Sequence, residues 1–315
     1  MKRNEITVHL TGGLGIQLFQ LAAALSESPS GIKIETVLGK PRVNHDGVPE
    51  VFSFDFSLPV TTSNRKFFFP YFSAKVAGFV LRSGVSPTRF ERIEAIRILI
   101  NALASIVLSI TGGAPIRIIQ GREVGYSELR VKSRRNYLIG YFQSHRYADS
   151  VRELISKFSI SEPGTDLEGL RKLAALERPL VVHYRFGDYL LEDNFGLPSF
   201  EYYLESITGL WQTNKFQKIW VFSDDLENAK TKFPHELLNH VRWIDQVDSS
   251  AASTLEAMRE GFGFVIANSS FSWWGAYLAH FRDAPVIAPK PWFQGMDSPI
   301  DLIPTNWKTR SAKAQ

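Results

Sequence analysis

Residues 179–191 read PLVVHYRFGDYLL, an apolar run that ends in a cluster of polar side chains. Leu180, Val181 and Val182 are residues of the kind that fill a strand buried on both faces, as strands of parallel sheets are. His183, Arg185 and Asp188 follow at once, with Gly187 allowing a sharp turn between them. Open α/β sheets bind ligands where such strands end. A guanidinium at that place offers a rigid cationic fork that pairs bidentately with phosphate oxygens, and His183 and Asp188 can donate or accept hydrogen bonds around it. The same residues also suit a plainer role, a satisfied His–Asp pair beside a surface arginine.

The chain downstream repeats the pattern. Strands are expected at 180–184, 218–223, 241–244, 263–267 and 286–288, alternating with helices at 199–211, 226–233, 252–260 and 273–279. Strands separated by helices of this length predict a doubly wound parallel sheet. Upstream, SEPGTDLEG at 161–169 combines Pro, Gly and acids and reads as a linker. At the N-terminus a short strand at 6–10 runs into TGGLG at 11–15 and then a helix at 17–26. Such a strand–glycine turn–helix unit presents backbone N–H groups to phosphate. Gly13 and Gly15 supply two of the glycines of a dinucleotide fingerprint, but Leu18 stands where its third small residue belongs. Glu35 ends the next strand, 32–35, about where a ribose-binding acid would lie. A tight turn before a helix explains the same residues. Residues 42–87, rich in Phe, Pro and Ser, are expected to be loops and short helices. A helix at 88–110, strands at 116–119 and 137–142 and a helix at 145–156 complete this half. Two domains are expected, 1–160 and 161–315.

Composition narrows the function classes. The 315 residues are 44% hydrophobic and 22% charged, as in a globular protein with a substantial core. A net charge of +4 suits an anionic small molecule or loose contact with an acidic membrane surface. The only dense basic run, RVKSRR at 130–135, is too short to suggest a nucleic-acid binder. The absence of cysteine excludes disulfides, thiolate nucleophiles and cysteine zinc sites. The longest apolar run, ILINALASIVLSI at 98–110, falls well short of the ~20 residues a bilayer span needs. It reads as a buried or interfacial helix.

Two more strand ends carry polar residues. Ser223-Asp224-Asp225 follows the strand at 218–223. A carboxylate there can accept two hydrogen bonds from a guanine edge or bind a ribose. The pair can instead coordinate a divalent cation, or Asp225, directly before the helix that begins at Leu226, can be its N-cap. Capping is assigned to one acid and ligand binding to the other. The third end is NSSFSWWG at 268–275. The hydroxyls of Ser269, Ser270 and Ser272 at a helix N-terminus suit a pyrophosphate, and Phe271 could pack on a ribose or base. An N-cap followed by two core tryptophans is the competing interpretation.

Taken together these segments resemble glycosyltransferase family 11, the bacterial and animal α-1,2-fucosyltransferases. The resemblance runs through GGLGIQLFQ at 12–20, GYFQS at 140–144, HYRFGDY at 183–189 and VFSDD at 221–225. It continues through IANSSFSWWGAYLA at 266–279, APKPWF at 288–293 and DLIPTNW at 301–307. It implies a GT-B-like α/β fold, two Rossmann-like domains with parallel sheets facing a cleft. The C-terminal domain would bind GDP-fucose, and the N-terminal one would take the acceptor side. It also implies inversion at the anomeric carbon, no cofactor and no metal. Arg185 would bind phosphate, with His183 and Asp188 beside it. Gly13, Gly15, Asp224, Asp225 and Ser269–Ser272, including Phe271, would contact the donor. Asp188, Glu192 and Asp193 are the acids near the motif from which a general base would come. Two residues depart from the family pattern: Phe186 replaces a second arginine and Ile16 an asparagine.

The expected activity is transfer of L-fucose to a glycan or lipid-linked oligosaccharide, at the 2-position of galactose. The expected location is the cytoplasm or the inner face of the membrane. A nucleotide-linked oxidoreductase and a catalytically weakened GDP- or glycan-binding homologue are the competing classes.

Overall fold

A computed structural model describes residues 5–28, 32–35, 41–55, 60–63, 116–120, 125–129, 135–187, 196–294 and 301–313, with positions 99, 102–103, 105–106, 109–110, 131 and 298. The chain forms two compact units, residues 1–49 with 56–157, and residues 50–55 with 158–315.

The first unit holds a parallel sheet of β1 (Glu5–His9), β2 (Ile32–Glu35), β3 (Val60–Ser63), β4 (Ile116–Gln120) and β5 (Arg135–Ile139), in the order β3-β2-β1-β5-β4. α1 (Leu14–Glu27) starts three residues before the expected 17, because Gly13 is already its N-cap. β3 falls where loops and short helices are expected; the β-branched residues of VTTS favour a strand there. β5 stops at Ile139, because the chain turns through Gly140 (φ 148°) and Phe142 (φ 53°). The helix expected at 145–156 is broken at Val151 into α2 (His145–Ser150) and α3 (Arg152–Ile155). Most of the helix expected at 88–110 lies outside the described residues, and those described between 99 and 110 are helical.

The second unit is built on six parallel strands in the order β11-β10-β9-β6-β7-β8. These are β6 (Leu180–Tyr184), β7 (Ile219–Ser223), β8 (Val241–Ile244), β9 (Gly263–Val265), β10 (Val286–Lys290) and β11 (Lys308–Ser311). The doubly wound expectation holds, with β11 added at an edge. Its four residues, KTRS, are mostly exposed and carry no apolar signal. The helices are α4 (Thr165–Glu177), α5 (Phe200–Thr213), α6 (Leu226–Lys232), α7 (Ala251–Arg259) and α8 (Ser270–Tyr277).

The stretch read as a linker is the start of α4. Only Leu167 and Ala174 of that helix are buried, so its apolar periodicity is faint. Its first turn is satisfied from elsewhere in the unit. Asp248 accepts the N–H groups of Asp166 at 3.1 Å and Leu167 at 3.3 Å. Gly164 makes that approach possible, since a Cβ there would lie 2.3 Å from the Asp248 carboxyl.

One face of β6 contributes Leu180, Val182 and Tyr184 to a core shared with Tyr203, Ile207 and Leu210 of α5. Tyr202 ties β9 and β10 together, its hydroxyl lying 2.7 Å from the carbonyl of Ile266 and 3.0 Å from that of Ile287.

Candidate active site

In the second unit the chain runs from β6 outward to β7 and β8, then returns to lay β9 on the other side of β6. The topological switch therefore falls between β6 and β9, and ligands bind beyond the strand ends at such a point. Three of the expected segments converge on that edge: the ends of β6, β7 and β9.

Arg185 is anchored there. Its Nη1 lies 3.1 Å from Asp224 Oδ2, and the pair is about four-fifths shielded. Asp224 Oδ1 accepts the backbone N–H of Phe186 at 2.9 Å. One carboxylate thus fixes both a side chain and the backbone at the end of β6. Gly187 is required by this packing: a Cβ on it would stand 2.4 Å from Asp224 Oδ2. Phe186 points the other way, into the core with Leu180, Val182 and Tyr184, and stacks on Tyr184.

His183 lies on the same side of β6 as Arg185, by the alternation of a strand. Its ring is buried, and Nδ1 has no hydrogen-bond partner among the described residues. Burial, helped by the Arg185 charge, lowers its pKa to about 3, so the imidazole is neutral at pH 7. The ring faces Phe271 across the β6–β9 gap, with centroids 6.1 Å apart.

The second acid of VFSDD does different work. Asp225 is the N-cap of α6: Oδ1 accepts the N–H of Asn228 at 3.0 Å, and Oδ2 the Asn228 side-chain amide at 2.6 Å. The N-terminus of α8 is similarly specified. Ser269 is its N-cap and accepts the N–H of Phe271 at 3.3 Å. Ser272 is turned inward, its hydroxyl 3.2 Å from the Ser269 carbonyl. Ser270 and Phe271 remain partly exposed. Both tryptophans are core residues, and Trp273 Nε1 donates to the Leu302 carbonyl at 3.0 Å. The N-cap followed by core aromatics therefore accounts for Trp273 and Trp274, while Ser270 and Phe271 stay partly exposed at the helix N-terminus.

Arg185, His183, Asp224, Asp225 and residues 269–272 share one sheet end. Gly13 and Gly15 belong to the other unit, at the start of α1. Asp188, Glu192 and Asp193 lie outside the described residues.

Residues 116–300 match the sequence model of glycosyl transferase family 11. The chain belongs to that family. The matched span includes every expected site residue of the second unit, and it sets aside the oxidoreductase interpretation. Among its relatives is an α-1,2-colitosyltransferase of Escherichia coli, 27% identical over 96% of this chain and 97% of that one. Another is the O-antigen biosynthesis glycosyltransferase WbnK of Escherichia coli, 32% identical over 52% of this chain and 60% of that one. Of solved structures, POFUT1 in complex with GDP superposes with a TM-score of 0.50 at 12% identity, covering 91% of this chain and 99% of that one. At that identity the likeness concerns the fold, which is GT-B-like in this family 11 chain as well.

Several supporting residues were given no role of their own by the sequence. Asn268, the polar residue closing an apolar strand, donates to the carbonyls of Gly196 at 2.9 Å and Trp292 at 3.1 Å, joining two loops beside the site. Tyr203 donates to the His183 carbonyl at 3.1 Å. In the first unit Gln17 and Gln20 are wholly buried. The Gln17 amide bonds the carbonyls of Gly12 at 2.9 Å and Arg42 at 3.0 Å. That of Gln20 bonds Thr11 Oγ1 at 2.9 Å and the Gly140 carbonyl at 2.8 Å. Two glutamines within an otherwise apolar helix were the available signal. Ile16, the second departure, packs against Gly12, whose φ of +66° only glycine adopts freely.

Proposed function

We propose that this glycosyltransferase moves L-fucose from GDP-fucose to a glycan hydroxyl with inversion, the acceptor being the 2-position of a galactose in an O-antigen or other polysaccharide. The observation that carries the reading is the pre-set Arg185–Asp224 pair across the ends of β6 and β7, with His183 of β6 facing Phe271 at the start of α8 on the β9 side. The unit formed by residues 50–55 and 158–315 would hold the donor, and the other unit the acceptor.

The reaction is a single displacement. The acceptor oxygen attacks the anomeric carbon while the bond from that carbon to the β-phosphate oxygen breaks, and its electron pair leaves with GDP. The acceptor proton passes to a carboxylate, for which Asp188, Glu192 and Asp193 are the candidates. Negative charge grows on the departing phosphate, where the Arg185 guanidinium and the N–H groups at the start of α8 stabilise it. His183, neutral at pH 7, contributes hydrogen bonds rather than charge. Asp225 is engaged as a helix cap and Asp224 as the partner of Arg185. This supports charge stabilisation by arginine rather than by a metal held on the acid pair.

A second reading follows from the colitosyltransferase relative: colitose is fucose without its 3-hydroxyl, and the two sugars demand nearly the same pocket. A donor panel of GDP-fucose, GDP-colitose and GDP-mannose against galactosides, reading GDP release and product mass, tests both. Transfer from GDP-colitose alone would replace fucose by the dideoxy sugar. GDP binding without release of GDP from any donor would leave only a binding protein.

A further inference from the structure

We infer that the first unit docks on an anionic lipid surface through an apolar ridge on the helical residues between 99 and 110. Leu99, Leu103, Ile106 and Ile110 are spaced four, three and four apart, which places them on one helical stripe. They are 59%, 55%, 56% and 76% exposed. Ser105 and Ser109, by contrast, are only partly exposed. Ser105 Oγ accepts the N–H of Ile118 at 3.0 Å, and Ser109 donates to the Ser105 carbonyl at 2.6 Å.

This inversion has a physical cause. β4 is an edge strand, and its outward N–H groups need partners. Ser105 supplies one from the helix, so a serine faces β4 while Leu99, Leu103, Ile106 and Ile110 are left outside. Exposed large apolar groups in a contiguous row mark interaction surfaces.

Charge identifies the occupant. Residues 65–135 contain 13 Lys and Arg against four Glu and no Asp; the rest of the chain has 23 against 28. The basic surplus of the protein is thus concentrated in the sequence flanking the ridge, while residues 98–116 are uncharged. An apolar stripe flanked by basic residues matches an interfacial helix, whose insertion is reinforced by anionic headgroups. Among the described residues no helix is long and apolar enough to cross a membrane.

The test is co-sedimentation of the full chain with vesicles of phosphatidylglycerol and phosphatidylethanolamine, compared with phosphatidylcholine alone, at low and high salt. Wild type should bind the anionic vesicles, release with salt, and bind phosphatidylcholine weakly. The double variant Leu103→Ser, Ile106→Ser should lose about tenfold or more in partitioning. Its melting temperature and its turnover of a soluble acceptor should stay at the wild-type level. Three results would overturn the proposal. One is wild type that ignores anionic vesicles, meaning the ridge is covered by the chain itself. Another is vesicle binding that the variant leaves unchanged. The third is a dimer in solution that the variant dissociates, which assigns the ridge to a second copy.

Discussion

Arg185 and Phe186 are consecutive, yet they serve opposite faces of the sheet: Arg185 pairs with Asp224, while Phe186 is buried with Leu180, Val182 and Tyr184. An arginine substituted for Phe186 would therefore enter the core rather than join Arg185. Burying an uncompensated charge costs about 3–5 kcal/mol. Phe186→Arg should lower the melting temperature markedly and leave the turnover of the folded fraction no higher than wild type. A tenfold gain in turnover would show that the residue at 186 reaches the phosphates.

The Arg185–Asp224 pair yields a second expectation. Arg185→Ala should abolish transfer without unfolding the protein, because Asp224 still accepts the Phe186 N–H and keeps some access to solvent when the guanidinium is gone. Asp224→Asn keeps an oxygen for the Phe186 N–H but removes the charge that orients Arg185. It should weaken GDP binding with little loss of stability. Calorimetric titration with GDP and thermal melts of both variants check this. Unchanged GDP affinity in both would place the phosphate site elsewhere.

Asp225 should behave in the opposite manner. As the N-cap of α6 it engages both carboxylate oxygens locally, and removing such a cap costs about 1 kcal/mol. Asp225→Ala should lower stability by that order while GDP affinity stays within about twofold of wild type. Loss of GDP binding at normal stability would make Asp225 the base-reading acid. For the same reason, turnover should survive complete chelation by EDTA; loss restored by magnesium or manganese would show that these acids hold a metal.

What the sequence made legible was whatever repeats or clusters. Strands β6 to β10 of the second unit announced themselves because each is a short, mostly apolar run between helices. His183, Arg185 and Asp224 stood out because polar residues follow those runs directly. α4 was obscured because its apolar face is two residues wide and its cap, Asp248, is supplied from about eighty positions away. β11 was missed because an exposed edge strand has no buried face to pattern it. The capping role of Asp225 was legible from its place directly before the helix at Leu226; the pairing of Asp224 with Arg185 was not, because it depends on Gly187 leaving room for that carboxylate. Trp273 and Trp274 were conspicuous as a pair, but their part is packing.

The last expectation concerns acid. His183 is held neutral by burial and the neighbouring Arg185, with its pKa lowered to about 3. His9, at the end of β1, is lowered to about 4 by burial alone. In the unfolded chain both titrate near 6.5. Between pH 6.5 and those folded values the unfolded state binds more protons, so stability falls as pH falls. At pH 5 each histidine should have cost about 2 kcal/mol relative to neutral pH. His183→Asn and His9→Asn should each flatten the decline in melting temperature between pH 7 and 5, the first through the second unit and the second through the first. The variants also separate packing from titration, since a purely steric loss shifts the whole curve without changing its slope. If both variants keep the wild-type slope, these two imidazoles are not the groups that make the fold sensitive to acid.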